Sequence, residues 1–213
     1  MSGSISGSRA LTGDDWRSQL VYTHYEGEDE SSLTSSTTWY HQHHLQNLPN
    51  GLTPPEAASD ATAGNVTTIS AYAIDLGGSK FCTTFQRMMT HHIIKVETDN
   101  NYLFTFEKNK EDVVVQSCKL LEAHVPPPVL NFTHGIKRKR RRTRKEIAKD
   151  VKPTKCSIGD VIKWICESGQ LKLTYHIAEA NCQHFANSLW NQFASVPFPI
   201  PAEYGMYNVQ SCS

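Results

Sequence analysis

At 213 residues the chain has room for one domain with a core of its own, and a second full domain is not expected. Lys plus Arg and Asp plus Glu both number 21, yet eight of the cations lie between Lys137 and Lys145; the other 13 face 21 anions, a net of −8, so the basic character is local. No signal-peptide core and no 18-residue apolar run occurs, and the six cysteines form no CxxC pair, which excludes a transmembrane helix, a disulfide framework and a cysteine zinc site and points to a reduced, intracellular protein. Residues 1–64 are rich in Ser, Thr, Gly and Asp, with acidic residues from Glu26 to Glu30 and prolines at Pro54 and Pro55. No period holds for long, so this stretch reads as a mostly disordered N-terminal arm, in which Trp16, Leu20, Trp39, Tyr40 and Leu45 suffice for one short docking helix. His41, His43 and His44 lack matching ligands at a recognised spacing, so neither a metal nor any other cofactor is expected.

The pattern changes at Val66. The run Val66-Thr-Thr-Ile69-Ser-Ala-Tyr72-Ala-Ile74 has the β-branched and aromatic content of a strand, ended by Gly77 and Gly78, and the folded domain is expected over residues 65–195. Next, Met88 to Thr98 and Tyr102 to Lys108 flank Asp99-Asn100-Asn101 and read as a β-hairpin. If Asp99 and Asn100 form a two-residue loop, His92 stands directly across from Glu107 on one face, where a carboxylate would hold the imidazole in a proton-accepting tautomer. A loop at Asn100-Asn101 instead pairs His92 with Asn109. His91 points to the opposite face from His92.

Val113 to Cys118 reads as a further strand, and Pro126-Pro-Pro128 then breaks regular structure. Lys137-Arg-Lys-Arg-Arg-Arg142-Thr-Arg-Lys145 repels itself and stays solvated, so it is expected in an exposed loop inserted at about 124–154. It resembles a nuclear localisation signal and has the charge to attract nucleic-acid phosphates or an anionic membrane, but no interleaved aromatic residues for base stacking. Ser157 followed by Asp160 reads as a helix start box, with an apolar stripe of Val161, Ile162, Ile165 and Cys166 and a stop at Gly169.

A strand is then expected through Tyr175, leading to Asn181-Cys182-Gln-His184-Phe185. Asn181 is a fitting N-cap, so Cys182 falls in a first helical turn, where unpaired N–H groups and the positive end of the helix dipole stabilise a thiolate. Phe185, Leu189 and Phe193 continue as the core-facing stripe, and the prolines at 197, 199 and 201 leave residues 196–213 as a tail. A buried structural cysteine at a helix start is the plain alternative.

The Asn-Cys-x-His-Phe motif, with a Tyr-x-Ile strand before it and a helix after it, resembles the nucleophile motif of LRAT-like proteins, relatives of NlpC-type peptidases, and the NC box of H-box/NC proteins. The resemblance spans about residues 66–194. It implies an α+β fold of permuted papain-like type, an antiparallel sheet packed on helices, in which a strand histidine precedes the nucleophile. It also implies Cys182 as nucleophile and a strand histidine as base, His92 through its apolar successors Ile93 and Ile94, with His91 the other candidate; the hairpin pairing adds Glu107 as the orienting group. The chain departs from the pattern where a second histidine is usual on the returning strand: Thr105 and Glu107 stand there.

The activity implied is a cysteine-dependent acyl hydrolase or acyltransferase working through a thioester on an acyl-lipid substrate. A cysteine peptidase or deconjugating enzyme acting on a peptide or isopeptide shares the same residues. A catalytically silent interaction module carrying the basic tract to the nucleus or to nucleic acid is the third reading.

Overall fold

The structure, a computed structural model, describes residues 15–26, 34–42, 56–75, 90–120, 144–176 and 181–199. Strands β1 (Gln19–Glu26) and β2 (Thr34–Gln42) are followed by helix α1 (Glu56–Ala63) and strand β3 (Val66–Asp75). Strands β4 (Thr90–Thr98), β5 (Tyr102–Lys108), β6 (Val113–Lys119) and β7 (Arg144–Asp150) come next, and helices α2 (Ile158–Glu167) and α3 (Cys182–Phe193) close the set. The seven strands form one sheet in the order β2-β1-β6-β5-β4-β3-β7. The fold is α+β, and its sheet is mixed rather than purely antiparallel: β1 runs parallel to β6, with Leu20 beside Val113 and Tyr25 beside Cys118.

The arm expected over residues 1–64 therefore contains sheet. β1 lies inside it, between β2 and β6, and contributes buried Leu20, Val21 and Tyr22. Gln19 to Glu26 alternates polar with apolar residues too weakly to be read alone; its place is fixed by the distant β6. Leu20 is thus a strand residue and not part of a docking helix, and Trp16 packs beside the core. His43 and His44 lie outside the described residues, as does the side chain of His41. Of the basic run, Lys137 to Thr143 lies outside them too, whereas Arg144 and Lys145 begin β7 on the edge of the sheet, paired with Ile74 and Ala73.

Alternation along the strands separates two faces. One carries Leu20, Tyr22, Ile69, Ala71, Ile94, Val96, Phe104, Phe106, Val113 and Val115, which form a single core with Ile158, Val161, Ile162 and Ile165 of α2 and Phe185, Leu189, Trp190 and Phe193 of α3. α3 lies across β4 and β5. The other face, also buried, is more polar: Thr23, Ser70, His91, Thr105, Glu107 and Gln116 stand on it.

Ser157 starts α2 with a reciprocal capping box to Asp160, and Gly169, at φ +84°, follows its C-terminus in the left-handed conformation that glycine adopts without strain. The hairpin differs from both expected registers. Its loop holds three residues, Asp99, Asn100 and Asn101, with Asn101 at φ +62°, and Ile94 faces Phe106 while Glu97 faces Leu103. A three-residue loop closed by a left-handed residue is a standard hairpin form, and its odd length reverses which side chains share a face. Among the described residues no helix is long and apolar enough to cross a membrane.

Candidate functional site

The hairpin register decides which histidine meets the carboxylate. Continued one step, the pairing sets Glu107 opposite Ile93, so Glu107 shares its face with His91, two residues along the strand, and not with His92. His91 Nε2 lies 2.7 Å from Glu107 Oε2, with both side chains buried. The expected partnership of His92 with Glu107 is replaced by that of His91, and the cause is the single extra loop residue.

The cysteine arrives from the other side. Asn181 caps α3 as expected: its side-chain oxygen accepts from the N–H groups of Gln183 at 2.8 Å and His184 at 3.1 Å. His184 is held at the cap as well, with Nδ1 2.9 Å from the same oxygen. Gln183 ties this first turn to the start of β4, donating from Nε2 to the Thr90 carbonyl at 3.2 Å and to the Thr90 hydroxyl at 3.0 Å. Paired residues of β4 and β5 stop at Ile94 and Phe106, although both strands run further. Beyond that point Cys182 Sγ sits 3.8 Å from the Thr90 carbonyl oxygen, accepts the backbone N–H of His92 and hydrogen-bonds the imidazole of His91.

These contacts shift both groups towards their charged forms. Burial alone would push the Cys182 thiol up, but the charge and hydrogen bond of His91 and the His92 N–H bring it below its usual value. Burial would likewise push His91 down; the charge and hydrogen bond of Cys182, and then those of Glu107, raise it to about 10. Both shifts favour the thiolate and imidazolium form of the pair. His92 behaves oppositely: burial, then the neighbouring His91 charge, pushes it down to about 4, so its ring is neutral. Among the other described cysteines, burial pushes Cys118 and Cys166 up to about 12 and Cys156 up to about 11. Cys166 is a core residue of α2, as its position in the apolar stripe predicts. Cys82 and Cys212 lie outside the described residues.

Tyr175 belongs to the same cluster, although sequence reasoning gave it no role beyond the motif. Its phenol is raised by burial, then by the charge of Cys182 and a hydrogen bond to it, so the hydroxyl donates to the thiolate. Of the strand expected before Cys182, residues 171–173 form turns and a bend, with Lys172 N–H bonded to the Gly169 carbonyl at 2.9 Å, His176 makes a single bridge, and residues 177–180 lie outside the described residues. Among the described residues no three His, Cys, Asp or Glu side chains converge as metal ligands.

No protein-family model, no curated protein and no solved structure matches the chain.

Proposed function

We propose that this protein is a cysteine-dependent acyl hydrolase or acyltransferase, with Cys182 as nucleophile, His91 as the proton-transferring group and Glu107 as its orienting partner. The observation that carries the reading is the buried relay of Cys182, His91 and Glu107, closed at one end by the 2.7 Å contact and poised at the other by a thiol held below its ordinary range. The order of strand base and helix nucleophile supports the LRAT-like, permuted papain-like reading of the motif.

In this scheme the thiolate attacks a carbonyl carbon, forming a C–S bond while the carbonyl π pair moves onto oxygen. The Cys182 backbone N–H, at the first position of α3, is the oxyanion donor. The tetrahedral intermediate collapses, the leaving group departs with the proton from the His91 imidazolium, and a thioester remains. His91, now neutral, takes a proton from water or another acceptor as that oxygen attacks; the acyl product leaves and the thiolate and imidazolium are restored.

A lipid ester is the acyl donor that the motif implies. The same relay of Cys182, His91 and Glu107 serves an amide as well as an ester, so a peptide or isopeptide donor is the second reading. The basic residues 137–145 supply the charge for contact with an anionic membrane or nucleic acid in either case.

The test follows Cys182 alkylation by iodoacetamide against pH by peptide mass spectrometry, beside a screen of acyl esters and peptidyl amides with wild type and Cys182→Ala. The expected result is modification that persists below the ordinary cysteine range and turnover lost in Cys182→Ala. A thiol that reacts only as pH rises through the ordinary cysteine range, about 8.5, would sink the proposal.

A further inference from the structure

We propose that Lys108 is a positioning residue of this site: its ammonium group clamps the backbone of residues 170–173 and thereby fixes where the Tyr175 hydroxyl meets the Cys182 sulfur. The inference rests on the thiol reading above and deepens it by naming what holds the third contact to the nucleophile.

Lys108, the last residue of β5, is only 1% exposed. Among the described residues no carboxylate pairs with it. Its Nζ donates instead to the Leu173 carbonyl at 2.6 Å, reaches the Gln170 carbonyl at 3.5 Å and stands 4.6 Å from the centre of the Trp16 ring. An ammonium group buried without a counter-ion is costly, and a methionine would fill the space with no charge to desolvate. What methionine cannot do is hold two peptide carbonyls at once.

Leu171 anchors the segment in the core, and the Lys172 and Leu173 N–H groups bond the Gly169 carbonyl. Past that turn Leu173 is 50% exposed, and its carbonyl is held by Lys108. Trp16 adds a second tie, donating from Nε1 to the Leu171 carbonyl at 3.1 Å. Two residues beyond Leu173 the chain reaches Tyr175, within about 7 Å of contour, so a loosened Leu173 carbonyl is transmitted directly to the phenol.

The experiment compares wild type, Lys108→Met, Tyr175→Phe and the double variant in full-length protein, reading Cys182 alkylation against pH. Tyr175→Phe is expected to move the thiol's titration up and slow alkylation at pH 6 several-fold. Lys108→Met should reproduce most of that loss and add almost nothing in the Tyr175→Phe background, while Lys108→Arg, which keeps the donors, restores part of it. Trp16→Phe, lacking the Leu171 tie, should shift the profile the same way by less, and it decides the matter if Lys108→Met does not fold. A wild-type profile in Lys108→Met or Trp16→Phe beside a shifted Tyr175→Phe overturns the positioning role, as does full additivity in the double variant. An unshifted thiol in wild type overturns the reading of the site itself, and the positioning role with it.

Discussion

Replacing each adjacent histidine separates the site described above from its nearest rival. His91 is raised from 6.5 to about 10, and at about 1.4 kcal/mol per unit that is about 5 kcal/mol in favour of its protonated form, gained after burial has been overcome. The same ring supplies the charge and the hydrogen bond that bring the Cys182 thiol below its ordinary value, so His91→Ala should raise the Cys182 titration. A more basic thiolate is also more nucleophilic, with a Brønsted slope of about 0.5, so each tenfold loss of thiolate at pH 6 slows alkylation by only about threefold.

His92→Ala should change that rate by less than about twofold, because the ring is already neutral at pH 6 and its contribution to the thiolate is a backbone N–H that alanine keeps. The assay is the initial rate of Cys182 modification at closely spaced pH values, with cooperative thermal unfolding confirming that each variant is folded. If His92→Ala lost more reactivity than His91→Ala, both the hairpin register and the relay built on it would be refuted.

Glu107→Gln should lower the His91 titration, moving the alkaline limb of any acyl-transfer profile to lower pH; two-dimensional NMR of labelled histidine reads the shift directly, and an unmoved His91 would remove Glu107 from the relay. Asn181→Ala strips the cap that accepts two N–H groups at the start of α3 and should cost about 1 kcal/mol in urea unfolding. Lys108 is pushed down by burial from 10.5 to about 8, so between those values the unfolded chain binds the extra proton and this group adds stability as pH rises, about 3 kcal/mol in all. Wild type should gain that amount over Lys108→Met between pH 7 and 10.5. At pH 7 the two should lie within about 2 kcal/mol, since removing the buried charge offsets stranding the Leu173 and Gln170 carbonyls, and a much larger loss in Lys108→Met would mark the residue as structural.

Helices were the most legible part of the sequence because their signals are local. Ser157 with Asp160, Asn181 before Cys182, and the Phe185, Leu189 and Phe193 stripe each act within a few residues, and each appears where its spacing placed it. The hairpin was legible as a hairpin but not in register: three Asx residues allow a two- or three-residue loop, and only the left-handed Asn101 settles the count. That choice moved the carboxylate from His92 to His91. β1 was illegible because its neighbour β6 lies more than 90 residues away and joins it in parallel, which no turn announces. Lys108 and Tyr175 were hidden for a related reason, since one is placed by β5 and the other by an irregular segment, and only the folded chain brings Lys108 to the Leu173 carbonyl and Tyr175 to Cys182.

The energetics of this corner argue that it is kept for chemistry. His91, Glu107, Cys182 and Lys108 are all nearly inaccessible to solvent and all ionisable, and Glu107 Oε1 is buried with no hydrogen-bond partner among the described residues. Apolar side chains of similar size would spare the desolvation of three or four charges, and such replacements commonly stabilise a fold. Cys118 and Cys166 show what the same interior does to a cysteine with no such neighbours: it becomes an inert thiol titrating near 12. Cys182 is equally buried and lies on the other side of its ordinary value. The difference is made by the His91 imidazole and the His92 backbone N–H, with the Tyr175 hydroxyl beside them, an arrangement that is costly for stability and suited to a nucleophile.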